Sequence, residues 1–183
     1  MPLKHPYCLH VLSIKDTNDV DKMYHDNHYG RRIEDDNELF CRLIMEINQA
    51  GLSWRTILQK EKGMRVAYHG FSIKKVAKYK EKDVARLMND TSIIRNRLKI
   101  NASIYNAKQI IKLQKEYGSF RHWLDLSGKE VGTDKNMWVQ LFKKHFKFVG
   151  GEIVGEFLMS IDMLPYAHDP LCTVHRQRKK RVV

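Results

Sequence analysis

The residues best suited to chemistry in this chain fall in three places. The first is MEINQAGLSW, residues 45–54, which closes the run LFCRLIMEINQAGLSW. Read as a helix, Leu39, Leu43, Glu46 and Ala50 recur at spacings of four, three and four. One carboxylate therefore shares a face with apolar side chains just before a Gly51-Leu52-Ser53-Trp54 turn. An unpaired ionised carboxylate is costly to bury, so Glu46 needs a partner or a task. Arg42, one turn earlier, offers an ion pair; the alternative is a carboxylate that serves a ligand. On the residues alone, Trp54 is better explained as a core aromatic and Leu52 as an ordinary turn residue.

The second place joins the two ends of the chain. HDPLC puts His168 and Cys172 at i and i+4, a spacing that brings both side chains to one side of a helical turn. Cys8 and His25 could complete a set of two thiolates and two imidazoles, which suits a tetrahedral structural zinc. His5, His10 and His175 are rival ligands, and buried core thiols are the plainer alternative. The third place is KKHFKFVGGEIVGEF, two helices joined through glycine. Its second helix would present free backbone N–H groups to a phosphate, with Lys143, Lys144 and Lys147 adding positive charge. An ordinary helix–turn–helix with solvated lysines fits the same residues, and Glu152 opposes an anion at that helix start.

The elements that must position these groups are helical. Proline stands only at positions 2, 6, 165 and 170, and strand alternation bounded by turn signals is missing. Periodicity and glycine punctuation predict helices over 36–50, 54–67, 73–80, 82–89, 97–117, 119–125, 134–145 and 151–162. In the 97–117 helix, Ile100, Ile104, Ala107, Ile111 and Leu113 form the apolar stripe, ended by Gly118. With no repeat, linker or second composition regime, the 183 residues read as one all-α domain (1–183), its tail 175–183 a mobile basic arm. The formal charge of +12, from 33 Lys plus Arg against 21 Asp plus Glu, favours a polyanionic partner. No apolar run approaches the roughly 20 residues needed to span a bilayer. The N-terminus lacks a signal-type apolar core, which points to a cytoplasmic protein whose three cysteines are thiols or metal ligands.

Taken together, YHDNHYG (24–30), MEINQAGLSW (45–54), SIIRNRLKI (92–100), FKFVG (146–150) and HDPLC (168–172) resemble the DNA 3-methyladenine glycosylase I family in order and approximate spacing. The resemblance implies a helix-hairpin-helix DNA glycosylase fold, and base excision of 3-methyladenine from double-stranded alkylated DNA. Neither a membrane nor an obligate protein partner is expected, and the protein is read as a monomer. It places the structural Zn2+ on Cys8, His25, His168 and Cys172, joining the chain ends. Glu46 becomes the catalytic pocket carboxylate, with Tyr24 and Trp54 stacking on the base. Gly51 and Leu52 become the segment that enters the duplex, and Lys147, Gly150 and Gly151 the backbone-gripping hairpin. The chain departs from the family pattern at Asp21, His28-Tyr29, Ile47, Gly151-Glu152 and Met159-Ser160. Those departures keep a second reading in view, a catalytically silent DNA-binding module retaining hairpin and zinc.

Overall fold

Short polar side chains start most of the helices. In the computed structural model, which describes residues 4–176, Asp19, Asp35, Ser53, Asn96, Ser119 and Asp134 each stand at an N-cap in extended conformation and accept a backbone N–H from the first turn. Such caps satisfy donors that a helix start leaves free, each stabilising by about 1 kcal/mol. The part of the basic tail beyond Arg176 lies outside the described residues.

Ten helices can be delimited, a further helical stretch occupies 173–176, and no strand occurs among the described residues. They are α1 (Pro6–Leu12), α2 (Val20–Asn27), α3 (Asp36–Gln49), α4 (Trp54–Ala67), α5 (Ile73–Val76), α6 (Glu81–Asn89), α7 (Arg97–Tyr117), α8 (Phe120–Val131), α9 (Lys135–His145) and α10 (Gly151–Ser160). The all-α expectation holds, with differences in detail. Helices α1 and α2 have no counterpart in the sequence reading. They are short, and the buried face of α2 consists of Asp21, Tyr24 and His25, which carries little apolar signal. Helix α5 is one turn rather than 73–80, because the chain is extended at Lys80, whose N–H donates to the Asp83 carboxylate to start α6. Helix α8 runs through Gly128 and ends at Gly132 (φ 63°), so Gly128 is no breaker. In α7 the core residue is Ile110, not Ile111, so the stripe advances by three from Ala107 through Ile110 to Leu113.

The chain forms two compact units. One combines the residues up to Arg32 with those from Leu158 onward; the other is the continuous stretch Ile33–Phe157. Within the larger unit every residue from Leu39 to Asn48 of α3 is buried, so this helix has no solvent face. Asp36, in its first turn, also begins α8: its carboxylate accepts Phe120 N–H (2.8 Å), Arg121 N–H (2.9 Å) and the Gln114 amide (2.7 Å). An aromatic cluster of Phe120, Trp123, Phe142 and Phe146 then seats α9 and the turn after it.

Gly63 shows where packing overrides helix propensity. A Cβ there would lie 2.6 Å from the Ser92 carbonyl oxygen and 2.7 Å from Ser92 Cβ. Lys60, on the same helix, donates to Thr91 O at 2.9 Å, so α4 holds the segment entering SIIRNRLKI at van der Waals range. Gly63→Ala is expected to lower unfolding free energy by about 1–3 kcal/mol in a denaturant titration, against the roughly 1 kcal/mol gain that alanine brings to a free helix.

Candidate functional site

The smaller unit contains a cluster of four buried donors, and all four are the residues singled out in the sequence. Cys8 comes from α1, His25 from α2, and His168 and Cys172 from the C-terminal segment. HDPLC is a turn rather than the helical turn expected. Cys172 N–H bonds to Asp169 O and the Asp169 carboxylate takes Leu171 N–H, which Pro170 permits without a helix. One ligand atom from each residue lies within 4.8 Å of all the others. His25 Nε2 is 3.2 Å from His168 Nδ1 and 3.4 Å and 3.8 Å from the sulfurs of Cys8 and Cys172. His168 Nδ1 lies 3.9 Å from each sulfur. A tetrahedral site with metal–N and metal–S bonds of ordinary length has edges of about 3.3 Å between nitrogens and about 3.6 Å between nitrogen and sulfur. The fit is close.

The hydrogen bonds behind the ligands orient the rings. His168 Nε2 faces the Tyr29 carbonyl at 3.0 Å, and a carbonyl only accepts, so the proton sits on Nε2 and the lone pair on Nδ1. His25 Nδ1 lies 2.7 Å from an Asp26 carboxylate oxygen, which directs the Nε2 lone pair to the same centre. Two lone pairs thus face each other inside the fold. Burial lowers the pKa of His25, so a proton is a poor way to relieve them. Burial also pushes the Cys8 thiol up to about 12, opposed by the Asp169 N–H that points at its sulfur and reinforced by the neighbouring Cys172. A cation shared by all four atoms answers both problems, and the set can hold a metal ion. Asp169 supports it further: its carboxylate accepts the N–H groups of Lys4 (2.8 Å) and His5 (3.3 Å), stapling the N-terminal segment to the ligand turn. Asp26, the Tyr29 carbonyl and Asp169 escaped the sequence reading as supports; only the adjacency of Asp26 to His25 gave a signal. Of the rival ligands, none of His5, His10 or His175 belongs to the cluster.

Tyr24 precedes His25 on α2 and is buried, its ring near those of Tyr7, His28 and Tyr29. Glu46 and Trp54 belong to the larger unit. Glu46 is 4% exposed on the last turns of α3. Burial pushes its carboxyl up to about 8; the Arg42 charge works against that rise without cancelling it, and Glu156 adds to it. The Arg42 ion pair that the sequence offered therefore does not hold Glu46 ionised. Ile47 is fully buried beside it. After α3 the chain turns at Gly51 (φ 84°), where Leu52 N–H bonds to Gln49 O at 2.7 Å and the Gln49 amide returns to Leu52 O at 3.3 Å. Leu52 is 40% exposed at the tip, and Ser53 caps α4 directly before Trp54.

The hairpin occupies Phe146–Gly150 and continues into α10. Phe146 and Val149 are buried, whereas Phe148 stands out at φ 59°. Asn106, wholly buried in α7, holds the hairpin from beneath: its oxygen accepts Lys147 N–H at 2.8 Å and its amide donates to Lys147 O at 3.1 Å. Lys147 Nζ lies 4.4 Å over the Tyr105 ring. Around Gly150 and Gly151 the space a Cβ would take is open. Glu152, which opposed an anion in the sequence, is joined to Lys135 at 3.1 Å. Asn106 was missed; an asparagine inside an apolar helix stripe is the signal that could have found it.

Comparison with known proteins adds to this geometry. A family model described as methyladenine glycosylase matches residues 14–136. The DNA-3-methyladenine glycosylase 1 of Escherichia coli (strain K12) is 34% identical over 157 residues, 77% of this chain and 84% of that protein. The DNA-3-methyladenine glycosylase of Haemophilus influenzae is 31% identical over 157 residues, covering 77% and 85%. Among solved structures, 3-methyladenine DNA glycosylase I from Staphylococcus aureus, described for its recognition of 3-methyladenine, has a TM-score of 0.80 at 29% identity over 93% of this chain and 97% of that one. A variant of 3-methyladenine DNA glycosylase I in complex with 3-methyladenine gives 0.78 at 28% identity, covering 90% and 96%.

The raised carboxyl of Glu46 has a thermodynamic signature. Between the ordinary value of 4.5 and about 8 the folded protein holds a proton that the unfolded chain has lost, so stability from this group is full below pH 4.5 and drains away as pH rises towards 8. Glu46→Gln removes that slope. Its stability relative to wild type is expected to improve by several kcal/mol between pH 5 and pH 8, since a tenfold change in proton affinity is worth about 1.4 kcal/mol; paired denaturant titrations at the two pH values measure it.

Proposed function

The chain belongs to the methyladenine glycosylase family, and from that premise we propose how its residues divide the work of a DNA-3-methyladenine glycosylase of base-excision repair, which hydrolyses the N-glycosidic bond of the damaged nucleotide. The observation that carries the assignment of roles is the buried, unneutralised carboxyl of Glu46 beside the Gly51-Leu52 turn.

A base cannot be cut from its sugar while stacked, so it must first leave double-stranded DNA. Leu52, exposed beyond Gly51, is the apolar group that fills the gap and offsets part of the unstacking cost. The hairpin residues Lys147, Gly150 and Gly151 grip the backbone, the glycines through main-chain N–H groups and the lysine by charge. Tyr24 and Trp54 stack on the flat, positively charged base, an interaction of about 0.5–2 kcal/mol for a cation over an aromatic face. Glu46 is the catalytic carboxylate and base reader. A cationic lesion favours its ionised form and donates to it, whereas a neutral adenine leaves a buried acid with nothing to answer its charge. Methylation has already made the base a good leaving group, so recognition and positioning carry most of the rate.

We assign Zn2+ to Cys8, His25, His168 and Cys172. Two thiolates and two imidazoles in a tetrahedral arrangement suit zinc, and four protein ligands leave no open position, so the ion is structural. It would cross-link α1, α2 and the C-terminal turn within the smaller unit and fix α2, which carries Tyr24 next to a ligand.

Wild-type protein is expected to release free 3-methyladenine from methylated duplex DNA, and Glu46→Ala to slow that release about 10- to 100-fold, the worth of one charge-assisted hydrogen bond, while still binding DNA. Duplex binding by wild type without any release would sink the enzymatic reading and leave a silent binding module. For the metal, elemental analysis is expected to find one zinc per chain, and Asp26→Asn to weaken its retention against a chelator by about 10- to 100-fold through loss of the bond that orients His25. Zinc-free protein of unchanged stability would remove the metal from the account.

A further inference from the structure

Lys99 is 7% exposed, and its ammonium makes two hydrogen bonds, to the carbonyl oxygens of Asn48 (2.9 Å) and Ala50 (2.8 Å). Among the described residues no carboxylate pairs with it. A buried ammonium with only carbonyl partners is an expensive choice for packing alone, where a methionine of similar length would serve. The position makes it more so. Lys99 lies in the first turn of α7, its own N–H taken by the Asn96 cap, where a helix dipole disfavours positive charge. The side chain instead reaches the C-terminal end of α3, where carbonyls lack partners and the dipole favours a cation.

The two carbonyls flank Gln49. That residue's own carbonyl takes Leu52 N–H, and its side chain returns to Leu52 O. Fixing Asn48 and Ala50 therefore fixes the base of the turn on which Leu52 stands. Seven residues along α7, Asn106 clamps the hairpin in the same manner, by bonds to backbone rather than to side chains. One helix thus carries both anchors.

Building on the glycosylase reading above, we infer that Lys99 is a positioning residue for base extrusion: by holding the Asn48 and Ala50 carbonyls it keeps the Leu52 turn rigid against the base stack that Leu52 must prop open. The demand for such rigidity is specific to a paired lesion. A base opposite a gap in pairing needs little propping, so the contribution of Lys99 should shrink there.

The test uses full-length protein and an oligonucleotide with a single methylated adenine, annealed opposite thymine or opposite an abasic position. In single-turnover release, Lys99→Met is expected to lose at least about tenfold on the paired lesion and no more than about threefold on the unpaired one, as a small misplacement of a positioned group commonly costs up to about 10²-fold. Lys99→Arg, which keeps charge and donors, is expected to recover most of the loss. Should Lys99→Met fail to fold, Lys99→Gln carries the same comparison. Equal losses on both substrates with wild type active mean that Lys99 merely supports the fold, and overturn this inference alone. A wild type that releases no base from either substrate overturns the glycosylase reading and this inference with it.

Discussion

A helix without a solvent face governs the larger unit. From Leu39 to Asn48 every residue of α3 is buried, so each polar group on it must be answered from within the protein. At the start, Asp35 caps the helix and Asp36 turns its carboxylate to the N-terminus of α8. At the end, Asn48 bonds back to Ile44 O, and Lys99 takes the carbonyls of Asn48 and Ala50. Glu46 is the group that these local answers leave with a raised pKa. A surface helix could have let the carboxylate reach water; burial in this one raises its pKa.

In the smaller unit the organising constraint is a set of lone pairs. The Tyr29 carbonyl and the Asp26 carboxylate fix which nitrogen of each imidazole looks inward, and the two sulfurs close the set. On α2 the buried positions include Asp21 and His25, so polar groups occupy part of this unit's interior. Asp169, a carboxylate of a type suited to chemistry, instead ties the Lys4 and His5 backbone to the ligand turn.

Most of the helices were legible in the sequence because their cues are local. Apolar periodicity marks the helices at 36–50, 54–67 and 97–117, and Gly118 (φ 86°) ends the last of them. The errors have local causes as well. Helices α1 and α2 are seven and eight residues long, too short for a periodic stripe, and Gly128 sits inside α8 without ending it. Ile47, one of the departures from the family pattern, is fully buried, so it is accommodated as core packing rather than as a break in α3.

By itself the sequence determined the helical class and the order of the motifs, and residue type with short spacing singled out Glu46 and the His168–Cys172 pair as candidates for chemistry, whereas Tyr24 and Trp54 entered only through the family resemblance. Tertiary structure alone decided how the groups are held. Cys8 meets His168 across 160 residues, Lys99 meets Asn48 across 51, and Asn106 meets Lys147 across 41. No local periodicity encodes such pairings, because a buried donor is satisfied by whichever acceptor the packing brings to it. For the same reason the state of Glu46 could not be read from its neighbours in the chain. Arg42 stood one turn away as the obvious partner, yet desolvation outweighs its charge, and burial is a property of the folded protein.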